Sequence, residues 1–401
     1  MAKYLVFIPP HLGHINPTLG IGAELLSRGN SVTWAGISET NPQFFPQGGR
    51  FYVPEEFQQY SKDIAAIISR QDECTQNTAN KMIKWAFEST WLPIYEIMIK
   101  GIRQLIRREN PDIIIHDEGL KAAAIGAYLE KVPYVTSITN MPGLHLPGTA
   151  LLPDDDIWLG EIMNGILLKN GIPGGTEVFN SPFLNLVYTS KSFADGNRFP
   201  GNYSFVGPIL EGRQANKSIA PGFFDSIKKP VVYVSTGSLL KEIKEAFYAK
   251  AIEAFKDMPV TFLVSVSPDL FDSWPENFIP KTFWPQLQVL PWVDAVVSAG
   301  GFNTINESLY FGKPMLVIPL ANDQFGNGML IENKGCGLRL RYRRLTPNLL
   351  GTSLNELLNN PVFKAAAQNQ SKHLKMAGGV PRAVELIEDI FQSENIYTWQ
   401  K

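Results

Sequence analysis

The chain has 401 residues, 44% of them hydrophobic and 18% charged, with a formal net charge of −2 at pH 7. That length exceeds what one hydrophobic core serves, so two domains of about 200 residues are expected. A near-neutral balance supplies no basic field for nucleic acid or anionic lipid, and two cysteines, Cys74 and Cys336, make no disulfide framework, which fits a reducing cytoplasm. Residues 1–10 carry one basic side chain and about five apolar ones before proline, too short for a signal-peptide core, so they read as a strand. No run approaches the roughly 18 apolar residues that span a bilayer, and no integral membrane segment is expected.

In chain order, residues 4–8 read as an apolar strand, 9–16 as a turn, 17–28 as an amphipathic helix stopped by Gly29, and 31–36 as the next strand. This is the grammar of a Rossmann-like βαβ unit. Residues 37–107 are less regular and aromatic-rich, with Phe51, Tyr52, Phe57, Tyr60, Trp85, Phe87, Trp91 and Tyr95 before and within an expected long helix over 80–107. Residues 139–167, which include Leu144, are apolar but broken by prolines and glycines. Long loops after early strands lie on the ligand side of a parallel sheet. Trp85, Trp91 and Leu144 are therefore expected to line an apolar acceptor pocket; aromatics at helical spacing would equally pack a helix onto its sheet. A strand over 112–116 ends at Asp117.

Between 199 and 223, Pro200, Gly201, Pro208, Gly212, Pro221 and Gly222 read as a linker, with the domain boundary near 205–225. The expected division is a first domain over 1–210, a second over 222–380, and a C-terminal segment over 381–401. The same grammar then repeats: strand 230–235, turn 236–238, helix 241–255 and strand 260–264. The densest signal follows at 297–324. An apolar strand runs into Ser298, Ala299, Gly300 and Gly301, and a helix opens with Asn303 and Thr304. Backbone N–H groups and the positive end of the helix dipole converge there, which suits a diphosphate. A further strand, 315–319, delivers Asn322, Asp323 and Gln324 at its carboxyl end, where polar side chains suit sugar hydroxyls.

His14 lies at the end of the first strand, just before its helix, where a neutral imidazole can take a proton from a hydroxyl. His11 is the rival in the same motif, and a capping role would explain either. Asp117, at the end of a neighbouring strand, would orient such a base and stabilise its imidazolium, although an acid there is also a common helix cap; His116 and Glu118 compete with it. Ser235, Thr236, Gly237 and Ser238 form a turn that faces a phosphate or is a plain tight turn. Phe283, Trp284 and Gln286 offer rings to stack on a nucleobase and an amide to bond its edge, or core aromatics. Glu307, one turn into its helix, can accept from two ribose hydroxyls or complement the helix dipole. The five histidines are scattered, Asp154, Asp155 and Asp156 read as a solvated charge run, and no dedicated metal site is indicated.

With those residues in place, the chain resembles the family 1 glycosyltransferases, which include bacterial macrolide glycosyltransferases and plant enzymes of secondary metabolism. The likeness spans nearly the whole length. It is carried by Gly13-His-x-x-Pro17, Val234-Ser-Thr-Gly-Ser238, Trp284-Pro-Gln286 and the block from Gly300 to Gln324. The resemblance implies an α/β protein of GT-B architecture, two facing Rossmann-like domains with a cleft between them, acceptor on the first and donor on the second, and a last helix that crosses back to the first domain. It implies a metal-independent, inverting displacement at the anomeric carbon, with no bound cofactor and a nucleotide sugar, UDP-glucose or a dTDP-sugar, as co-substrate. His14 matches the general base and Asp117 its partner. Ser238, Gly301, Asn303 and Thr304 match the diphosphate contacts, Glu307 the ribose contact, and Asp323 with Gln324 the sugar contacts.

Two positions depart from the family pattern. Its donor motif carries a histidine where this chain has Ala299, one hydrogen-bond donor fewer to the diphosphate. Such a loss to a charged group costs about 1.5–3 kcal/mol, a tens-fold drop in donor affinity or turnover. The base-stacking tryptophan is replaced by Phe283, with Trp284 one place later. The leading expectation is transfer of glucose from UDP-glucose to a hydroxyl of an apolar small molecule. A non-catalytic partner of another transferase, suggested by Ala299, and a sugar-nucleotide epimerase remain open beside it.

Overall fold

The apolar runs become strands buried on both faces, as parallel sheets require. The computed structural model describes residues 1–58, 88, 92–140, 153–196, 199–213, 219–237, 241–320 and 323–392. The chain forms two units: Met1–Tyr188, Asn197–Gln214 and Gly378–Lys401 in the first, Thr189–Gly196 and Ala215–Ala377 in the second.

The first unit carries a seven-stranded parallel sheet in the order β3-β2-β1-β4-β5-β6-β7. Its strands are β1 Lys3–Ile8, β2 Ser31–Gly36, β3 Arg50–Tyr52, β4 Ile113–Asp117, β5 Tyr134–Ile138, β6 Leu184–Val187 and β7 Tyr203–Phe205. Strand order reverses between β1 and β4, where Phe7 pairs with His116. Helices Leu92–Glu109 and Lys121–Leu129 cover one face through Ile94, Met98, Ile102, Leu105 and Ile125. The expected helix over 80–107 is described only from Leu92, and it runs on to Glu109.

Two local readings change. The first helix is Leu12–Ser27, five residues longer at its start than a helix beginning at Pro17. Proline at a first helical position is common, but here the His11 carbonyl already accepts the N–H groups of His14 and Ile15, so the helix opens upstream with Pro17 inside it. The stretch read as a linker contains β7: Pro200 and Gly201 make a turn, closed by Tyr203 N–H to Pro200 O at 3.1 Å, that returns the chain to pair with β6.

Trp34 fixes how the first helix meets the sheet. Its indole is fully buried, its Nε1–H donates to Thr18 Oγ1 at 2.9 Å, and a Cβ on Gly22 would collide with the ring. Gly22→Ala is expected to lower the unfolding free energy by about 1–3 kcal/mol through overpacking. Gly160→Ala, in a helix where a Cβ meets nothing within 4 Å, is expected to raise it by about 0.5–1 kcal/mol. Denaturant midpoints of the two variants check the opposite signs.

The second unit carries a six-stranded parallel sheet, β10-β9-β8-β11-β12-β13. Here β8 is Val231–Ser235, β9 Thr261–Ser265, β10 Phe278–Lys281, β11 Ala295–Ser298, β12 Met315–Val317 and β13 Gly337–Arg339. Phe255, Phe262 and Phe278 stack in its core, with centroids 4.7 and 4.9 Å apart. Order reverses between β8 and β11, where Ser235 pairs with Ser298. In open parallel sheets such reversals are where ligands bind, beyond the strand carboxyl ends.

Candidate active site

At the reversal in the first unit, three neighbouring strand ends bring their following residues together: His14 after β1, Asp117 at the end of β4, and Thr139 just past β5. His14 Nδ1 lies 2.8 Å from Asp117 Oδ2. Asp117 is 1% exposed; its Oδ1 accepts the Gly119 N–H at 2.8 Å, and its Oδ2 accepts the Thr139 hydroxyl at 3.0 Å. Burial works to raise this carboxyl, but His14, Gly119 and Thr139 together hold it below the usual carboxylate range. It is therefore an ionised acceptor, which assigns the proton of the neutral His14 ring to Nδ1 and the lone pair to Nε2.

The rivals fall elsewhere. The His11 ring stands 5.9 Å from that of His14, and its backbone carbonyl starts the helix. His116 is fully buried, with Nδ1 2.9 Å from Asp117 O and Nε2 3.2 Å from Thr136 Oγ1. Burial pushes its pKa down to about 4. Glu118 is buried too, and its Oε1 accepts the backbone N–H groups of Thr139 and Asn140 at 3.0 and 2.8 Å.

At the reversal in the second unit, Gly300 adopts φ +89° and a Cβ there would approach Val317 Cγ1 to 2.6 Å, so the turn requires glycine. Gly301 caps the helix Phe302–Tyr310, placing half-buried Asn303 and Thr304 in its first turn, and the Ile305 N–H closes that turn on Gly301 O at 3.0 Å. Glu307, 2% exposed, accepts from Gln286 Nε2 at 2.6 Å, joining two expected donor residues. Asn327 Nδ2 donates to both Gly300 O at 3.0 Å and Asp323 Oδ2 at 2.7 Å, tying the glycine turn to the carboxylate. Gln324 Oε1 accepts the Leu320 N–H at 2.9 Å.

The aromatic pair separates. Phe283 is 54% exposed, whereas Trp284 is 1% exposed, donates Nε1–H to Val264 O at 3.2 Å and carries the Lys281 ammonium 4.0 Å from its ring centroid. Phe283 alone has a face open to a base; Trp284 is core. Ala299 is also buried, at 4% exposure.

The family described as UDP-glucoronosyl and UDP-glucosyl transferase matches residues 198–388. An uncharacterized UDP-glucosyltransferase, YojK, of Bacillus subtilis (strain 168) is 27% identical, covering 96% of this chain and 97% of its own length. The NDP-glycosyltransferase YjiC of Bacillus licheniformis is 27% identical over 95% of both chains. The crystal structure of the glycosyltransferase VinC in complex with dTDP has a TM-score of 0.74 at 19% identity, covering 98% of this chain and 100% of its own. The chain is thus similar to family 1 glycosyltransferases over nearly its whole length, and that family's model matches it over residues 198–388. It is a nucleotide-sugar-dependent transferase with the GT-B fold.

Four residues expected in the transferase's site, Ser238, Trp85, Trp91 and Leu144, lie outside the described residues, as does Asn322. Thr139 and Asn327 were absent from the sequence expectations. Thr139 lies in a stretch marked only by apolarity, whereas Asn327 lies three residues beyond Gln324, a one-turn spacing that points it back to the strand end. Among the described residues, no group of three His, Cys, Asp or Glu is placed to hold a metal ion, and no helix is long and apolar enough to cross a membrane.

Proposed function

We propose that this transferase moves a hexose, glucose from UDP-glucose, onto a hydroxyl of an apolar small molecule of natural-product type, by one inverting displacement without a metal ion. The observation that carries the reading is the 2.8 Å contact between His14 Nδ1 and the buried Asp117 carboxylate, which leaves Nε2 as a base. His14 Nε2 takes the acceptor hydroxyl proton as the oxygen attacks the anomeric carbon. The bond from that carbon to the diphosphate breaks, its electron pair leaves with UDP, and the configuration inverts. Asp117 stabilises the imidazolium.

The second unit supplies the donor side. Gly300, Gly301, Asn303, Thr304 and the N-terminus of their helix receive the diphosphate, so that backbone N–H groups offset the departing charge. Glu307, steadied by Gln286, bonds the ribose, and Asp323 with Gln324 bonds the sugar hydroxyls. Phe283 stacks on the base. A dTDP-sugar is the competing donor, since VinC was crystallised with dTDP.

Incubating the full chain with UDP-glucose or dTDP-glucose, a mixed pool of polyketides, flavonoids, sterols and carotenoids, and a chelator should yield a glycosylated mass and free UDP, with a β linkage by NMR. No product from any donor would overturn the reading; product only after added Mg²⁺ would overturn its metal-free form. Phe283→Ala is expected to raise donor KM by about 5- to 100-fold, the 1–3 kcal/mol worth of one stacked base, with smaller effect on kcat.

A further inference from the structure

The pair His14 and Asp117 has a third member. Thr139 Oγ1 lies 2.8 Å from His14 Nδ1 and 3.0 Å from Asp117 Oδ2, closing a triangle with the 2.8 Å contact between those two. Hydrogen positions follow from what each atom can do. The ionised carboxylate only accepts, so the hydroxyl proton of Thr139 and the Nδ1 proton of His14 both point to Oδ2. The hydroxyl oxygen then faces the Nδ1–H as its second acceptor, and a ring flipped about Cβ–Cγ would put Cδ2 in the place of Nδ1 and lose both partners.

Thr139 itself is held from below. Its N–H and that of Asn140 both end on Glu118 Oε1, and Glu118 is 2% exposed beside Lys121, 3% exposed. A buried carboxyl oxygen that accepts two successive N–H groups fixes the backbone from which the hydroxyl projects. The chain places Glu118 there by sequence, next to Asp117, with its own N–H on Ser137 O at 3.0 Å.

We propose that Thr139 is a positioning residue for the transfer reaction: its hydroxyl, set by the Glu118 clamp on the 139–140 backbone, locks His14 and Asp117 into one hydrogen-bonding arrangement. This rests on the proposed role of His14 as base. Thr139 touches no reacting atom; it acts by keeping the His14 proton on Nδ1 and the ring in one orientation.

Two measurements on the full chain test it. In kinetics, Thr139→Val, which keeps the shape and removes the hydroxyl, should lower kcat about ten- to a hundredfold, the loss expected for a hydrogen bond to a charged group, with donor KM within about twofold. Thr139→Ser should restore kcat to within about threefold. In an Asp117→Asn background, Thr139→Val should cost less than about twofold more, because the partner it serves is already gone. Equal loss in both backgrounds would show an independent structural effect and overturn the proposal, as would an unchanged kcat.

The second measurement needs neither donor nor acceptor. Nitrogen-15 spectra of histidine-labelled protein, with His14 assigned by the signal lost in His14→Gln, should show Nδ1 protonated in the unaltered chain. In Thr139→Val the Nδ1–H should exchange with water at least about tenfold faster. An unchanged exchange rate would overturn the proposal. Absence of glycosyl transfer by the unaltered chain, by contrast, would overturn the proposed reaction and leave this spectrum to decide the role of Thr139.

Discussion

His14→Ala is expected to lower kcat by about 10²- to 10⁴-fold, the usual contribution of a positioned general base, while donor KM changes little. The reason for the split is that His14 and the donor residues are carried by different sheets: His14 follows β1, whereas Gly300, Gly301 and Glu307 follow β11. The cavity left is partly solvent-lined, since the side chain is 23% exposed, so the fold should survive, and a melting curve superimposed on that of the unaltered chain is the control. Steady-state release of UDP checks the rate. A variant retaining full activity would remove His14 from the mechanism and turn attention to His11, 5.9 Å away between ring centres.

Asp117→Asn is expected to cost a comparable amount, about 10³- to 10⁴-fold in kcat, although it is nearly isosteric. The amide can donate from its nitrogen, which favours the His14 tautomer with the proton on Nε2 and the lone pair facing inward, the wrong way for taking an acceptor proton. The change also replaces a carboxylate that the fold keeps ionised. Because the Asp117 pKa is depressed in the native state, its contribution to stability is present above the usual carboxylate range and is lost as pH falls through the native value. Acid unfolding should thus begin at higher pH in the unaltered chain than that one group alone would set only if other groups intervene. His116 is such a group: with a native pKa near 4, it resists protonation while an unfolded histidine does not, so stability falls as pH drops from about 6.5 toward 4. Measuring denaturant midpoints of Asp117→Asn and the unaltered chain from about pH 7 down to about 2 separates the two: the His116 loss appears in both between about 6.5 and 4, and the Asp117 loss only in the unaltered chain, below the usual carboxylate range. A catalytic loss below about tenfold would argue that the carboxylate is structural.

Features with short-range causes were legible in the sequence. Apolar strands followed by small residues and an amphipathic helix appear as two parallel sheets, and the small residues up to Gly301 do lead into the helix Phe302–Tyr310. Asp117 at the end of an apolar run is indeed the last residue of β4. What resisted reading depends on contacts between distant segments. Trp284 and Phe283 are adjacent and chemically alike, and only the packing around Val264 and Lys281 decides which is core. Thr139 meets His14 across 125 positions of chain, so no local pattern marks it. Pro17 is a good first helical residue by propensity, but the bonds of His14 and Ile15 to His11 O, which open the helix five residues earlier, belong to the folded turn.

The helix Gly379–Asp389 belongs to the first unit, although all of Ala215–Ala377 lies between it and the rest of that unit. It buries Val380, Ala383, Val384 and Ile387, Val380 lies against Gly20 of the first helix, the Gly379 N–H donates to Val206 O at 2.7 Å, and Glu388 pairs with Arg28. On the ribosome this reverses the usual order, in which the amino-terminal domain finishes first. The first unit stays incomplete until Gly379–Asp389 has been made, whereas the second can close earlier. A chain cut short before Gly379 would therefore carry its defect in the first unit, with the uncovered flank of Leu12–Ser27 offered to chaperones or to other unfinished copies.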